Sequence, residues 1–187
     1  MPESARSWRT REQNADMNTE SYQPLTLMDF AETESSSMWQ AINDDVMGGE
    51  SQGEPQVIDQ QLHFQGDISL ANNGGFASVR ARGQHHDLSA ADSVLIRIKG
   101  DGRSYQFRLY TKAHFQGSRI AYATSFQTID NEWLELRLHF SQLQPVFRGR
   151  TLSGPAFSPA DVEEMGFMLV DKREGPFKLV VDWIRAA

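Results

Sequence analysis

Five short polar corners carry most of the side chains in this sequence that could do chemistry. The first is Asn43-Asp44-Asp45-Val46-Met47-Gly48-Gly49-Glu50-Ser51, with Trp39 four residues before it. The second is Asn72-Asn73-Gly74-Gly75-Phe76, and the third is Lys99-Gly100-Asp101-Gly102-Arg103, followed by Tyr105. Phe147-Arg148-Gly149-Arg150 and Asp171-Lys172-Arg173-Glu174-Gly175 complete the set. Asn and Asp bond back to their own backbone and so favour turns. Glycine supplies backbone angles, or a close approach, that a Cβ forbids. Brought together, these corners would place carboxylates, guanidinium groups and open backbone N–H donors around one concavity. Polar neutral ligands such as sugars need such partners, with an aromatic face for the apolar side of the ring.

The residues nominated for binding are Trp39, Asn43, Asp44, Asp45, Met47, Gly48, Gly49, Ser51, Asn73, Gly74, Gly75, Phe76, Asp101, Arg103, Tyr105, Arg148, Asp171, Lys172 and Arg173. Trp39, Phe76, Tyr105 and Trp133 are the aromatic platforms available. Trp133 shares its parity with Glu135 and Arg137 and is expected on the outward face of its strand. A structural reading competes with this one: the glycines make tight turns and the aromatics fill the core or cover an edge.

Other chemistries find less support. Asp44, Asp45 and Asp171 are oxygen donors of the kind calcium takes, but the EF-hand spacing is absent and adjacent aspartates diverge on an extended chain. An ion pair from Asp44 or Asp45 to Arg103 or Arg173 is the expected use, and neither metal nor cofactor is expected. His63, His85, His86, His114 and His139 stand in no recognisable spacing with a serine or a carboxylate. Gly100-Asp101-Gly102-Arg103 lacks the lysine-threonine ending and the receiving helix of a phosphate-binding loop.

The elements that must position these corners are short strands. The chain has 187 residues, 39% hydrophobic, enough for one sizeable core, and such a length is most simply one domain. Residues 1–22 read as a mobile polar tail and residues 23–187 as the domain, with Met1 and Met17 both eligible as the start. No cysteine is present, which removes disulfides, thiolate zinc sites and cysteine nucleophiles. A net charge of -7 argues against nucleic acid, where a basic footprint is expected. No apolar run approaches the ~20 residues of a membrane span, and residues 1–17 carry neither a signal peptide nor a good transit segment. A cytoplasmic location is the expectation.

Alternation sets the strands. Leu134, Leu136, Leu138 and Phe140 alternate with Glu135, Arg137 and His139, and Val94, Ile96 and Ile98 alternate with Leu95, Arg97 and Lys99. Asp59-Gln60-Gln61 interrupts Val57-Ile58 and Leu62-His63-Phe64 as a hairpin turn. Residues 142–159 read as a connection, and Ser158 to Met165 as the one short helix, with Ser158 at the N-cap and Pro159 at the first helical position. Nine or ten strands with almost no helix indicate an all-β fold, a two-sheet jelly-roll sandwich.

In order along the chain, Trp39…Asn43-Asp44-Asp45-Val46-Met47-Gly48-Gly49-Glu50-Ser51, Phe64-Gln65-Gly66, Asn73-Gly74-Gly75-Phe76-Ala77-Ser78, Lys99-Gly100-Asp101-Gly102-Arg103-Ser104-Tyr105, Phe147-Arg148-Gly149 and Gly166-Phe167-Met168-Leu169…Asp171-Lys172…Gly175-Pro176-Phe177 resemble the complex I intermediate-associated protein 30 family. The resemblance covers about residues 25–185. It implies a galactose-binding-like β-sandwich shared with many carbohydrate-binding modules, and a non-enzymatic assembly factor whose partners are respiratory complex I intermediates. The function expected on these grounds is a binding or assembly-factor domain acting through a polar surface built from the glycine-rich corners. A carbohydrate-binding module is the alternative, and an enzyme acting on a small polar molecule a third reading.

Overall fold

The computed structural model describes residues 23–31 and 37–187. The expected mobile tail, residues 1–22, lies outside the described residues. Among the described residues, thirteen strands form two antiparallel sheets, a two-sheet sandwich as the alternation predicts.

The strands are β1 (Leu25–Asp29), β2 (Trp39–Ala41), β3 (Gln52–Ile58), β4 (Gln61–Ile68), β5 (Ala77–Ala81), β6 (Ser93–Lys99), β7 (Ser104–Phe115), β8 (Ser118–Gln127), β9 (Trp133–His139), β10 (Gln144–Phe147), β11 (Arg150–Thr151), β12 (Glu164–Leu169) and β13 (Gly175–Ala186). One sheet runs β3-β4-β13-β6-β9, with β1 also on β13; the other runs β11-β10-β8-β7-β12-β5-β2. Strand β13 pairs with β4 over its first half and with β1 over its second, while β6 lies along its other side.

Three hairpins close on two residues that both have positive φ: Asp59-Gln60, Gln116-Gly117 and Arg148-Gly149. Such turns match the right-handed twist of the strands they join. The Arg148-Gly149 turn joins β10 and β11, so the connection expected over 142–159 contains a hairpin. The helix expected from Ser158 is a 3-10 turn, Pro159–Asp161, and β12 begins at Glu164. Ser158 Oγ donates to the Asp161 carboxylate at 2.8 Å and caps no backbone N–H. The apolar run Met165 to Leu169 pairs with both β5 and β7, and those ladder bonds outweigh the helical start signal.

Phe167 is the hub of the core. Its ring meets Trp39 at 6.1 Å, Phe107 at 5.4 Å and Phe126 at 6.3 Å between centroids. Leu62, Phe64, Ile96, Ile98, Leu179 and Val181 from the six-stranded sheet face these aromatics and are wholly buried. Each such side chain contributes about 1.5–3 kcal/mol by leaving water.

Candidate functional site

The first corner is organised by the carboxylate of Asp44, which is completely buried. Asn43 is extended, residues Asp44–Met47 make a 3-10 turn, and Gly48 closes it at φ 86°. Asp44 Oδ1 accepts from the Ser51 backbone N–H at 2.9 Å. Its Oδ2 accepts from Gly75 at 2.7 Å and Phe76 at 3.3 Å. One carboxylate thus ties the first corner to the second. A Cβ on Gly49 would overlap the Asp44 carboxyl group, and one on Gly74 would stand 2.6 Å from its Oδ2. These glycines admit the carboxylate. Burial favours the neutral acid, but the donors from Ser51, Gly75 and Phe76 outweigh it and hold Asp44 below the usual carboxylate range. Three backbone N–H groups thus converge on this one carboxylate.

Ser51 extends the tie: its Oγ donates to Ser69 O and accepts from Ser69 N, both at 3.0 Å. Asn43 donates through Nδ2 to Gly53 O at 3.1 Å.

Arg103 organises the third and fifth corners. It is 5% exposed and grips Asp171 at two points, Nε to Oδ2 at 2.9 Å and Nη2 to Oδ1 at 2.6 Å. Nη1 donates to Gly175 O at 3.2 Å and Pro176 O at 3.1 Å, and Nη2 also donates to Arg173 O. Burial raises the Asp171 pKa, but the Arg103 guanidinium and the Arg173 N–H lower it further, for a net depression. Asp101 accepts from Arg103 N at 3.1 Å through Oδ1, and from Lys178 N at 2.8 Å and Tyr105 Oη at 3.0 Å through Oδ2. Burial, then the charge of Asp101, pushes the Tyr105 phenol far upward, so it stays protonated and donating.

Two bonds join these halves. Lys172 Nζ donates to Gly74 O at 3.2 Å, and Leu70 N donates to Glu174 Oε1 at 3.2 Å. The structure therefore brings the first, second, third and fifth corners into one hydrogen-bonded cluster. For Asp44 and Arg103 the expected pairing is corrected: Arg103 meets Asp171, and Asp44 meets backbone N–H groups. Donors and acceptors read as open to a ligand are spent on holding loops together.

The other nominated residues divide. Asp45, Gly48, Asn73, Lys172 and Arg173 are exposed on this cluster, and Gly49 and Phe76 are half-buried. The Met47 side chain lies outside the described residues. Trp39 and Tyr105, nominated as platforms, are 4% and 1% exposed and belong to the core. Arg148 is remote, its guanidinium 5.2 Å from the Phe147 ring centre. Phe147 touches Phe115, at the end of β7 opposite Ser104. Trp133 lies on the outward side of its sheet as parity predicts, with Arg97 4.6 Å and Lys99 5.2 Å from its ring centre.

A second polar surface was missed by the reading of corners. It covers the outward face of the seven-stranded sheet. Register aligns Gln40, Arg80, Gly166, Arg108, Ala123 and Gln144 across β2, β5, β12, β7, β8 and β10. The Arg80 guanidinium lies 3.8 Å from the Tyr110 ring centre, donates to Tyr110 Oη at 2.9 Å and pairs with Glu164 at 3.3 Å. Arg119 pairs with Glu163 at 2.5 Å and with Glu164 at 3.3 Å. The signal was available: Gln106, Arg108 and Tyr110 alternate with Tyr105, Phe107 and Leu109 along β7, and Tyr110 is the aromatic on the outward side.

Two clefts lie outside the corner cluster. One of about 530 Å³, between residues 140–145 and 152–159, has no titratable side chain in its lining. The other, about 270 Å³, contains His85, Arg119, Glu163 and Glu164, and both carboxylates are ion-paired. Among the described residues no group of three or more histidines and carboxylates could hold a metal, and no helix is long and apolar enough to cross a membrane.

Comparison with known proteins agrees with this architecture. The chain is 26% identical over 187 residues to the mitochondrial complex I intermediate-associated protein 30 of Mus musculus, covering 87% of this chain and 56% of that one. It is 24% identical over 123 residues to the mitochondrial protein of that name from Drosophila melanogaster, covering 59% and 42%. The chain thus spans about half the length of the curated relatives it matches. Among solved structures, the family 11 carbohydrate-binding module of the Clostridium thermocellum cellulase Lic26A-Cel5E superposes with a TM-score of 0.66 at 14% identity, covering 88% of this chain and 95% of that one. A family 11 carbohydrate-binding module from Clostridium thermocellum in complex with a beta-1,3-1,4-mixed-linked tetrasaccharide gives 0.64, again at 14% identity and with coverage of 88% and 95%. At that identity the likeness establishes the jelly-roll fold alone. Residues 28–181 match the complex I intermediate-associated protein 30 family, and the chain belongs to that family.

Proposed function

We propose that this chain is a non-enzymatic binding domain that recognises a protein partner, as an assembly factor for respiratory complex I intermediates. Family membership over residues 28–181 carries the reading. The site chemistry agrees with it. An enzyme needs an acid or base poised in a cleft; here one cleft lacks titratable groups, and in the other both carboxylates beside His85 are taken up by Arg119 and Arg80. On this reading the corner cluster is a rigid frame, and Asp45, Gly48, Asn73, Lys172 and Arg173 form its exposed surface.

The carbohydrate-binding alternative draws on the jelly-roll fold. It is weakened by the burial of Trp39 and Tyr105 and by the cations over Tyr110 and Trp133, which leave the half-buried Phe76 as the remaining nominated ring for a sugar to stack on. The test is deletion of the gene in its own host, with native electrophoresis of respiratory complexes. Accumulated complex I intermediates, cleared by the restored chain, are expected. Unchanged complex I levels, or saturable binding of a glucan tetrasaccharide, would overturn the reading.

A further inference from the structure

On the outward face of the seven-stranded sheet the charges do not balance. Arg80 and Arg119 are taken up by Glu163 and Glu164. Arg108, on β7 between β8 and β12, has no carboxylate partner among the described residues. Its Nε and Nη2 both donate to Gln106 Oε1, at 3.1 and 2.7 Å, which fixes the plane of the guanidinium. Nη1 has no hydrogen-bond partner among the described residues. Three guanidinium groups thus meet two carboxylates on this face, against a chain of net charge -7.

The surroundings have the character of an interface. Gly166 and Ala123 flank Arg108 across the neighbouring strands, each strand ~4.8 Å away. With Ala121 and Met168 they make a low, largely apolar floor. Gln40, Ser125 and Gln144 stand exposed around it. An apolar centre with a polar rim and a preorganised arginine is the pattern of protein–protein contacts. Of the three N–H bonds left on Arg108, one from each Nη forms a planar fork that matches a carboxylate. Tyr110, 5% exposed beneath Arg80, presents no ring to a sugar.

We propose that the outward face of the seven-stranded sheet is a protein-docking surface, on which Arg108 receives a carboxylate from an acidic segment of the partner. This rests on the protein-partner reading above and adds to it a second contact surface, separate from the exposed residues of the corner cluster. Gln106 is a positioning residue for Arg108.

The test is nitrogen-15 NMR of the full chain titrated with hexaglutamate, with hexalysine and a mixed-linkage glucan tetrasaccharide as comparisons. Hexaglutamate is expected to move the Arg108 Nε–Hε signal and the Gly166 amide saturably, and Arg108→Gln to weaken that binding at least tenfold with the thermal midpoint unchanged. Binding that survives Arg108→Gln, shifts confined to other surfaces, or a glucan response on this face would overturn the proposal. Capture of complex I intermediates from the host separates the two readings. Wild-type capture that Arg108→Glu leaves intact overturns the docking face and spares the assembly function. No capture by the wild type counts against the assembly function, while the hexaglutamate titration still decides the face.

Discussion

Arg103 and Asp171 form a two-point ion pair across 68 residues of sequence, and the guanidinium goes on to hold three backbone carbonyls of the turn that carries its partner. The pair is a clamp for the entry into β13. Arg103→Ala leaves the Asp171 carboxylate nearly buried and unpaired, and a loss of about 3–5 kcal/mol is expected. Arg103→Lys keeps the charge but not the fork and should recover only part of this. Urea unfolding followed by tryptophan fluorescence measures both; equal stability of wild type and Arg103→Ala would refute the clamp.

Asp44 makes a similar prediction for the other half of the cluster. Asp44→Asn replaces a charged acceptor by an amide whose NH2 opposes backbone donors, and should cost roughly 2–4 kcal/mol. Its coupling to Gly49 is more diagnostic. Gly49→Ala is expected to destabilise through overlap with the Asp44 side chain, and Asp44→Ala should remove most of that extra cost. A double-mutant cycle with additive effects would contradict the packing.

Acid should loosen both ties. Asp44 and Asp171 have folded pKa values below the ordinary carboxylate value. Their contribution is complete above the unfolded value of about 3.9 and is lost as pH falls through the lower folded values. The urea midpoint should therefore be carboxylate-independent near neutrality and drop steeply below about pH 4. In Asp44→Asn the acid limb of the curve should be shallower; an identical slope would exclude Asp44 as a contributor.

Trp39 separates a structural role from a binding role. It is buried between Phe30 and Phe167. Trp39→Ala should cost about 3–5 kcal/mol. Trp39→Phe should cost less and leave partner binding at wild-type affinity. A folded Trp39→Phe that loses binding would restore Trp39 to the surface.

Much of the sandwich was legible because alternation is a local signal. Leu134, Leu136 and Leu138 face inward in β9 as their spacing requires. The corners were legible as turns, and four of the five converge. Their partners were not, since Arg103 could be assigned to any of several carboxylates without knowing that β7 enters beside the 171–176 turn. Polarity alone also cannot separate a side chain aimed at solvent from one spent on backbone, and Asp44 is the example. Strands β10 and β11 were hidden by Pro145 and Gly149, which read as loop.

The position of β13 has a consequence for biosynthesis. It is the last strand in chain order, yet β4, β6 and β1 all bond to it. During translation those three strands emerge with their sheet unfinished, and β6 has only β9 to pair with until residues 175–186 leave the ribosome. Closure of the six-stranded sheet is then a late, long-range event of the slow kind. Until it occurs the nascent protein carries bare strand edges that invite aggregation. A domain built this way depends on being shielded in its first moments.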